Sequence, residues 1–281
     1  MKFDRKIDFA VLVSVSNANP NGDPLNGNRP RTDYRGFGEI SDVCIKRKIR
    51  NRMQDLGHPV FVQSDDRADD GCISLKERAK DLEKIKNQDE FARMACARWL
   101  DVRSFGQVFA FNKKDFNCAS VGVRGPVSIH QAVSMNPVDA YSMQITKSVS
   151  GERKSESDRG SDTMGMKHFV RFGLYQIKGS INAQLAEKTG FTQEDAQVIK
   201  EALRTLFVND ASAARPDGSM EVVRVYWWEH NCKDGQYSSA KVHRLLKVQQ
   251  KAEVEMPSSV DDYDIHLDEL PGLACEVIEG I

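Results

Sequence analysis

Ile7–Val15 (IDFAVLVSV) is a short apolar run, rich in β-branched residues and bounded by turn formers, and it reads as a buried strand. The next sixteen residues, Ser16–Arg31, hold five Asn, two Gly and three Pro. Proline and Asn-Gly pairs punctuate them, so they form neither helix nor strand. A structureless loop of that length inside a compact domain usually serves function. Ile40–Leu56 follows as an amphipathic helix, with Ile45, Ile49, Met53 and Leu56 on one stripe and Gly57 where a left-handed cap is wanted. Its other faces carry Lys46, Arg47, Lys48, Arg50 and Arg52, with no acid between Val43 and Gln54.

Two more helices turn Leu75, Ala79, Leu82, Ile85 and then Phe91, Ala95, Trp99, Val102 inward, making 58–115 a mostly helical insertion. Val121–Ser134 returns to strand character, with Gly125-Pro126 marking an edge or a bulge. A polar tract, 150–163, lies between Met135 and Met143 on one side and Met164 and Met166 on the other, and Phe169–Asn182 is again a strand. That is the pattern of a mobile hairpin leaving a sheet and rejoining it. Thr192 caps a helix that has Asp195 at its third position and Ala196, Ile199, Leu203, Leu206 and Phe207 on its buried stripe. Glu221–His230 is the most strand-like segment of all. Without its insertions the chain reads β-α-β-β-α-β, an α+β arrangement of the ferredoxin-like kind.

Composition narrows the function classes. The 281 residues carry a net charge of −1, but 1–54 hold eleven Lys/Arg against six acids, and 252–281 hold nine acids without one Lys or Arg. Such a dipolar chain suits an anionic partner or a head-to-tail assembly, or its two ends pair with each other. Six cysteines stand at least 22 residues apart, so neither a zinc knuckle nor a redox dithiol is expected. No apolar run reaches the ~20 residues of a membrane span and the N-terminus lacks a signal layout, which makes a cytoplasmic protein the expectation.

Motifs for hydrolases, zinc peptidases and nucleoside triphosphate binding are absent. His230 and Cys232 lack a second ligand pair, and Gly36-Phe37-Gly38 lacks the third glycine of a dinucleotide loop. Asp23 and Asp33 are the remaining catalytic candidates, since a loop carboxylate beside nucleic acid can hold Mg²⁺; as turn formers they would need no such role. Nucleic-acid binding has more behind it. A helix with five cations in seven residues, after an Asn-rich loop carrying Arg29 and Arg31, offers charge for phosphates and amides for sugars and bases. Methionines on a projecting hairpin are costly unless they insert between bases or pack on a partner.

The opening strand with NANPNGDPLNGNRPR, the helix starting near EISDVCIKRKIRN, and the segments ARWLDVRSFGQVF and VRGPVSIHQAVSMNPV together resemble the backbone-subunit family of type I-C CRISPR Cascade, within the RAMP superfamily. The resemblance spans essentially the whole chain. It implies an RRM-like palm (1–57, 116–135 and 167–281, the last with an acidic C-terminal region), a helical insertion at 58–115 and a thumb hairpin at 136–166. It further implies a non-catalytic protein without metal or cofactor, stacked head to tail along a crRNA beside other Cascade subunits. Each thumb would displace one base and leave the guide free to pair with target DNA. By position, Asn19, Asn21, Arg29 and Arg31 fall in the RNA-facing loop, and Lys46, Arg47 and Arg50 hold the RNA backbone from the first helix. Met143, Met164 and Met166 are the wedges, with Lys167 and His168 at the thumb's base; Arg103, Phe105 and Gln107 are weaker candidates. A metal-dependent ribonuclease using Asp23 or Asp33, and a protein-binding scaffold, are the alternatives.

Overall fold

The computed structural model describes residues 1–68, 70–111, 120–146 and 164–281. Strand β1 (Ile7–Ala18) leads into two short strands, β2 (Gly22–Asp23) and β3 (Arg29–Pro30), and then β4 (Phe37–Ile40) and helix α1 (Asp42–Asp55). The insertion contains α2 (Leu75–Arg78), α3 (Gln88–Arg98), α4 (Leu100–Phe105) and a hairpin of β5 (Gly106–Ala110) with β6 (Ser120–Arg124). Strands β7 (Val127–Ile129), β8 (Ala132–Pro137) and β9 (Ala140–Thr146) precede the 18-residue β10 (Met164–Ile181). Helices α5 (Ala183–Thr189) and α6 (Gln193–Arg204), strand β11 (Met220–Glu229), α7 (Ser239–His243), β12 (Leu246–Gln250), β13 (Tyr263–Leu267) and β14 (Cys275–Glu279) complete the fold.

The protein is a mixed α+β molecule built on a large antiparallel sheet, ordered β14-β11-β1-β10-β8-β4, with β7 and β9 also paired to β10. β1 lies antiparallel to both β10 and β11. Its side chains alternate between two cores, as a pleated strand requires. Phe9, Val11, Val13 and Val15 meet Ile45 and Ile49 of α1 and Ile199 and Leu203 of α6. Ala10 and Leu12 meet Leu174, Trp228, Val242, Leu246 and Tyr263 on the other face. Both faces of the sheet centre are therefore covered, the second by the α7-β12-β13 segment. Each fully buried aliphatic or Phe side chain contributes about 1.5–3 kcal/mol relative to exposure. Phe9 sits opposite Gly179 in the β1–β10 ladder, and a Cβ at Gly179 would lie 2.2 Å from Phe9 Cζ. Glycine there lets the ring cross the neighbouring strand and stack on Trp227, 5.6 Å between centroids.

Local signals hold well. Ser41 caps α1 by accepting from Cys44 N–H, and Gly57 follows the helix with φ +82°. Thr192 and Asp195 close a reciprocal capping box on α6. Three expectations change. The loop after β1 is not free of strand: β1 runs on to Ala18, and Gly22–Asp23 pair with Arg29–Pro30. The Leu75–Ile85 stripe is a four-residue helix followed by a 3₁₀ turn, although Ala79 and Leu82 are buried. The run Val121–Ser134 splits at Gly125-Pro126: β6 pairs with β5 and buries Val121 among Phe61, Phe91, Trp99 and Phe109, while the main sheet resumes at β7. The polar tract 150–163 lies outside the described residues.

Candidate nucleic-acid interface

Two asparagines of the loop after β1, Asn19 and Asn21, fasten it in place. Asn19 is buried; its backbone N–H donates to Ala214 O at 2.9 Å and its Nδ2 to Asn28 O at 2.7 Å. Asn21 Oδ1 accepts from Ser41 N–H at 2.9 Å, and Asn21 O accepts from Arg31 N–H at 3.0 Å. These bonds fasten the loop to the start of α1 and to the segment after α6. Arg29 remains exposed, without an ion pair among the described residues. Arg31 Nη2 lies 3.4 Å from Asp23 Oδ1.

The cations of α1 divide by helix face. Lys48, only 1% exposed, is paired with Asp210 and lies over the Phe207 ring; burial pushes its pKa below the usual lysine value. Arg50, 13% exposed, donates from Nε to Asp101 Oδ2 at 2.9 Å and packs over Phe105. Arg52 bonds Thr205 and Asp55. Lys46 pairs with Asp42 at 2.9 Å, which leaves Arg47 exposed and unpaired among the described residues. The basic helix is thus largely a buried clamp, because an unpaired interior charge is far costlier than a paired one.

Arg103 also holds the scaffold together: Nε and Nη2 grip the two oxygens of Asp195 at 2.9 and 2.8 Å, on the carboxylate that closes the α6 cap. Phe105 supports Arg50, and Gln107 Nε2 donates to Val108 O. None of these three joins the loop.

The hairpin does. β9 pairs with the first seven residues of β10 in an unbroken register from Met164↔Thr146 to Val170↔Ala140. Tyr141, at its root, donates from its hydroxyl to Asn17 Oδ1 at 3.4 Å, and Ala18 faces Val170. The Asn-rich loop and the hairpin therefore meet at one end of the sheet. Met143, Ile145, Met164 and Met166 are all exposed. The register sets Met164 and Met166, with His168, on one hairpin face, and Met143, opposite Lys167, on the other. His168 Nδ1 lies 2.8 Å from Ser142 Oγ.

The sequence reading passed over the hairpin root. Arg171 pairs with Asp139 at 2.6 Å and lies 4.4 Å over the Tyr141 ring. Beside it is a cleft of about 580 Å³ lined by Asn17, Asn136, Arg171, Phe172 and Met256. The arginine and tyrosine stand 30 residues apart, so only the register unites them.

Both candidate catalytic aspartates are engaged in turns. Asp23 Oδ1 accepts from Leu25 N–H and faces Arg31. Asp33 accepts from the N–H groups of Arg35 and Phe37 and from Arg35 Nε, at 2.8–3.0 Å. Desolvation raises its pKa, but these bonds outweigh it and hold the carboxyl below the usual range. Among the described residues no three His, Cys, Asp or Glu side chains are grouped to hold a metal, and no helix is long and apolar enough to cross a membrane. His230 and Cys232 do not meet at a site: buried His230 bonds Asp8 at 2.8 Å, whereas Cys232 is exposed.

The acidic C-terminal segment pairs partly within the chain, Glu276 with Lys200, Glu279 with Arg224 and Asp268 with Lys247. These partners come from the middle of the chain, not from 1–54. Glu253, Glu255, Asp261, Asp264 and Glu269 stay exposed, without ion pairs among the described residues.

The sequence model of a family described as "CRISPR-associated protein Cas7" matches residues 5–268. A Haloferax volcanii protein described as CRISPR-associated protein Cas7 is 24% identical over 209 residues, 68% of this chain; the chain spans 60% of that relative's length. Chains of two solved structures, "CRISPR RNA-guided surveillance complex, pre-nicking" and "CRISPR RNA-guided surveillance complex", superpose with TM-scores of 0.49 and 0.46, at 16% and 19% identity. Each covers 79% of this chain, over 78% and 68% of its own length.

Proposed function

This chain belongs to the CRISPR-associated protein Cas7 family, and from that premise we propose that it is a non-catalytic, crRNA-binding backbone subunit of a type I-C interference complex. Copies stack head to tail along the guide, beside other Cascade subunits, and present it for pairing with target DNA. The observation that carries this reading is the meeting of the polar loop and the methionine-bearing hairpin at one end of the sheet. Charge for phosphates and apolar side chains for unstacking bases then face one strand of RNA.

The sheet supports an RRM-like, ferredoxin-like palm. β1 and β7/β8 run parallel with β10 between them, and β10 and β11 run parallel with β1 between them. Helices connect both split pairs. With the α7-β12-β13 segment over one sheet face, RNA lies on the loop end instead. In this reading Arg29 and Arg47 make the phosphate contacts, with Arg31, Lys46 and Lys167 at their margin. Asn19, Asn21, Arg50 and Arg103 hold the surface in shape. The thumb is 136–166, with Met143, Met164 and Met166 as wedges above His168. The exposed C-terminal acids support head-to-tail stacking by offering a charged face to a neighbouring copy.

The test is a titration of end-labelled guide RNA with protein in Mg²⁺ buffer, split between native and denaturing gels. Stepwise shifts with intact RNA are expected of a passive backbone. Discrete cleavage products would replace this reading with a ribonuclease, against the engagement of Asp23 and Asp33 in their turns. No shift at all would favour a protein-binding scaffold.

A further inference from the structure

Residues 33–37 form the tip of the hairpin that joins β3 to β4, and this tip is over-determined. Asp33 N–H donates to Phe37 O at 2.8 Å and Gly36 N–H to Asp33 O at 3.0 Å, while the Asp33 carboxylate accepts the three further bonds described above. Gly36 takes φ +84° and its carbonyl accepts from Val138 N–H, which ties the tip to the turn between β8 and β9. A tip fixed this firmly nevertheless holds out Tyr34, 95% exposed. The Arg35 guanidinium lies over two rings, 4.8 Å from the Phe37 centroid and 5.6 Å from that of Tyr34. Asp33 orients it through an ion pair at 3.0 Å. Tyr34 and Phe37 thus share one oriented guanidinium, and the Tyr34 ring is otherwise open to solvent.

An exposed aromatic on a fixed turn, with a guanidinium over its ring, is suited to a flat π-system, and the turn beneath it is ordered in advance. Of flat ligands, the nucleobase is the one the neighbourhood favours. β3 carries exposed Arg29 at its start and runs into this tip, and the tip is bonded to the root of the methionine hairpin. We propose that the open face of Tyr34 stacks an unpaired base of single-stranded RNA, as a contact separate from the hairpin methionines. The inference rests on the RNA-binding reading above. Stacking uses the π-face, so the contact discriminates little between sequences and adds no phosphate neutralisation.

Affinity for a short single-stranded RNA, across a salt series, tests it in the intact protein. Tyr34→Ala should weaken binding about tenfold, since base–aromatic stacking contributes about 1–3 kcal/mol and 1.4 kcal/mol is tenfold. The slope of log K against log salt should stay that of wild type. Tyr34→Trp should keep the affinity, and its added tryptophan emission should be quenched by RNA. The three native tryptophans are buried and make a steady background. Wild-type affinity in Tyr34→Ala together with unquenched emission in Tyr34→Trp would overturn the stacking site. So would a loss seen only in self-association, which would assign Tyr34 to a contact with a second copy. If the wild-type protein fails to bind RNA, the reading beneath it falls first.

Discussion

Arg50 and Asp101 meet through a 2.9 Å bond from Nε to Oδ2, and the same carboxylate accepts the N–H groups of Phe61 and Val62 at 2.7 and 3.1 Å. One side chain, 1% exposed, thus fastens α1, the insertion and the segment between them. Removing it strands a largely buried cation and two backbone N–H groups. Asp101→Ala should cost about 3–5 kcal/mol, read as a lower urea midpoint. An unchanged midpoint would mean that the joint is held by the apolar cores alone.

Arg47 and Arg29 offer the contrasting case. Each is exposed and without an ion pair among the described residues, so Arg47→Ala and Arg29→Ala should leave stability within about 0.5 kcal/mol. Each should instead weaken RNA binding uniformly across sequences and lower the salt slope by about 0.7 for single-stranded RNA. Filter binding at four salt concentrations measures both quantities. A wild-type slope in the double variant would remove α1 and β3 from the RNA path.

The hairpin methionines should act in two groups. Met164→Ser with Met166→Ser alters one face, and Met143→Ser the other. If the hairpin parts neighbouring bases, the two variants should change permanganate reactivity at different nucleotides, with little effect on overall affinity. Identical footprints would mean that the faces do not separate bases.

His243 gives a pH dependence of stability. It is buried and donates from Nε2 to Gly179 O at 3.0 Å. Burial pushes its pKa below the usual 6.5, and the Gly179 carbonyl opposes this in part. The unfolded chain therefore binds more protons between the depressed value and 6.5, so stability is fully present above about 6.5 and declines as pH falls through that window. Thermal midpoints recorded from pH 8 to pH 5 should drop, and His243→Gln should flatten the drop. Parallel curves would assign the acid sensitivity elsewhere.

What the sequence discloses is what neighbours in the chain decide. The β-branched run of β1, the Thr192–Asp195 box and Gly57 after α1 each depend on contacts within a few residues. The burial of Arg50 and Lys48 does not: they find partners 51 and 162 residues away, which no local pattern can announce. Gly125-Pro126 marks an interruption in Val121–Ser134, but hydrophobicity does not say that the two halves join different sheets. The methionines were legible as exposed apolar residues on a hairpin, but their division between faces is a matter of parity that only the register supplies. Tyr34 carried no signal beyond being an aromatic in a polar stretch. Its significance comes from Asp33 fixing the turn beneath it.

β10 is one strand of 18 residues, about 60 Å at 3.4 Å per residue, and no loop divides its hairpin half from its sheet half. The hairpin is accordingly a cantilever clamped in the middle of the molecule. Along β10 there is no hinge among the described residues on which it could swing as a separate body. A load at its outer end must be absorbed as twist along the ladder that pairs β10 with β1, through Gly173, Tyr175 and on to Gly179 beneath Phe9. The stiffness of the projecting arm is therefore set by packing at the sheet centre, and a cavity made there should soften the arm without touching it.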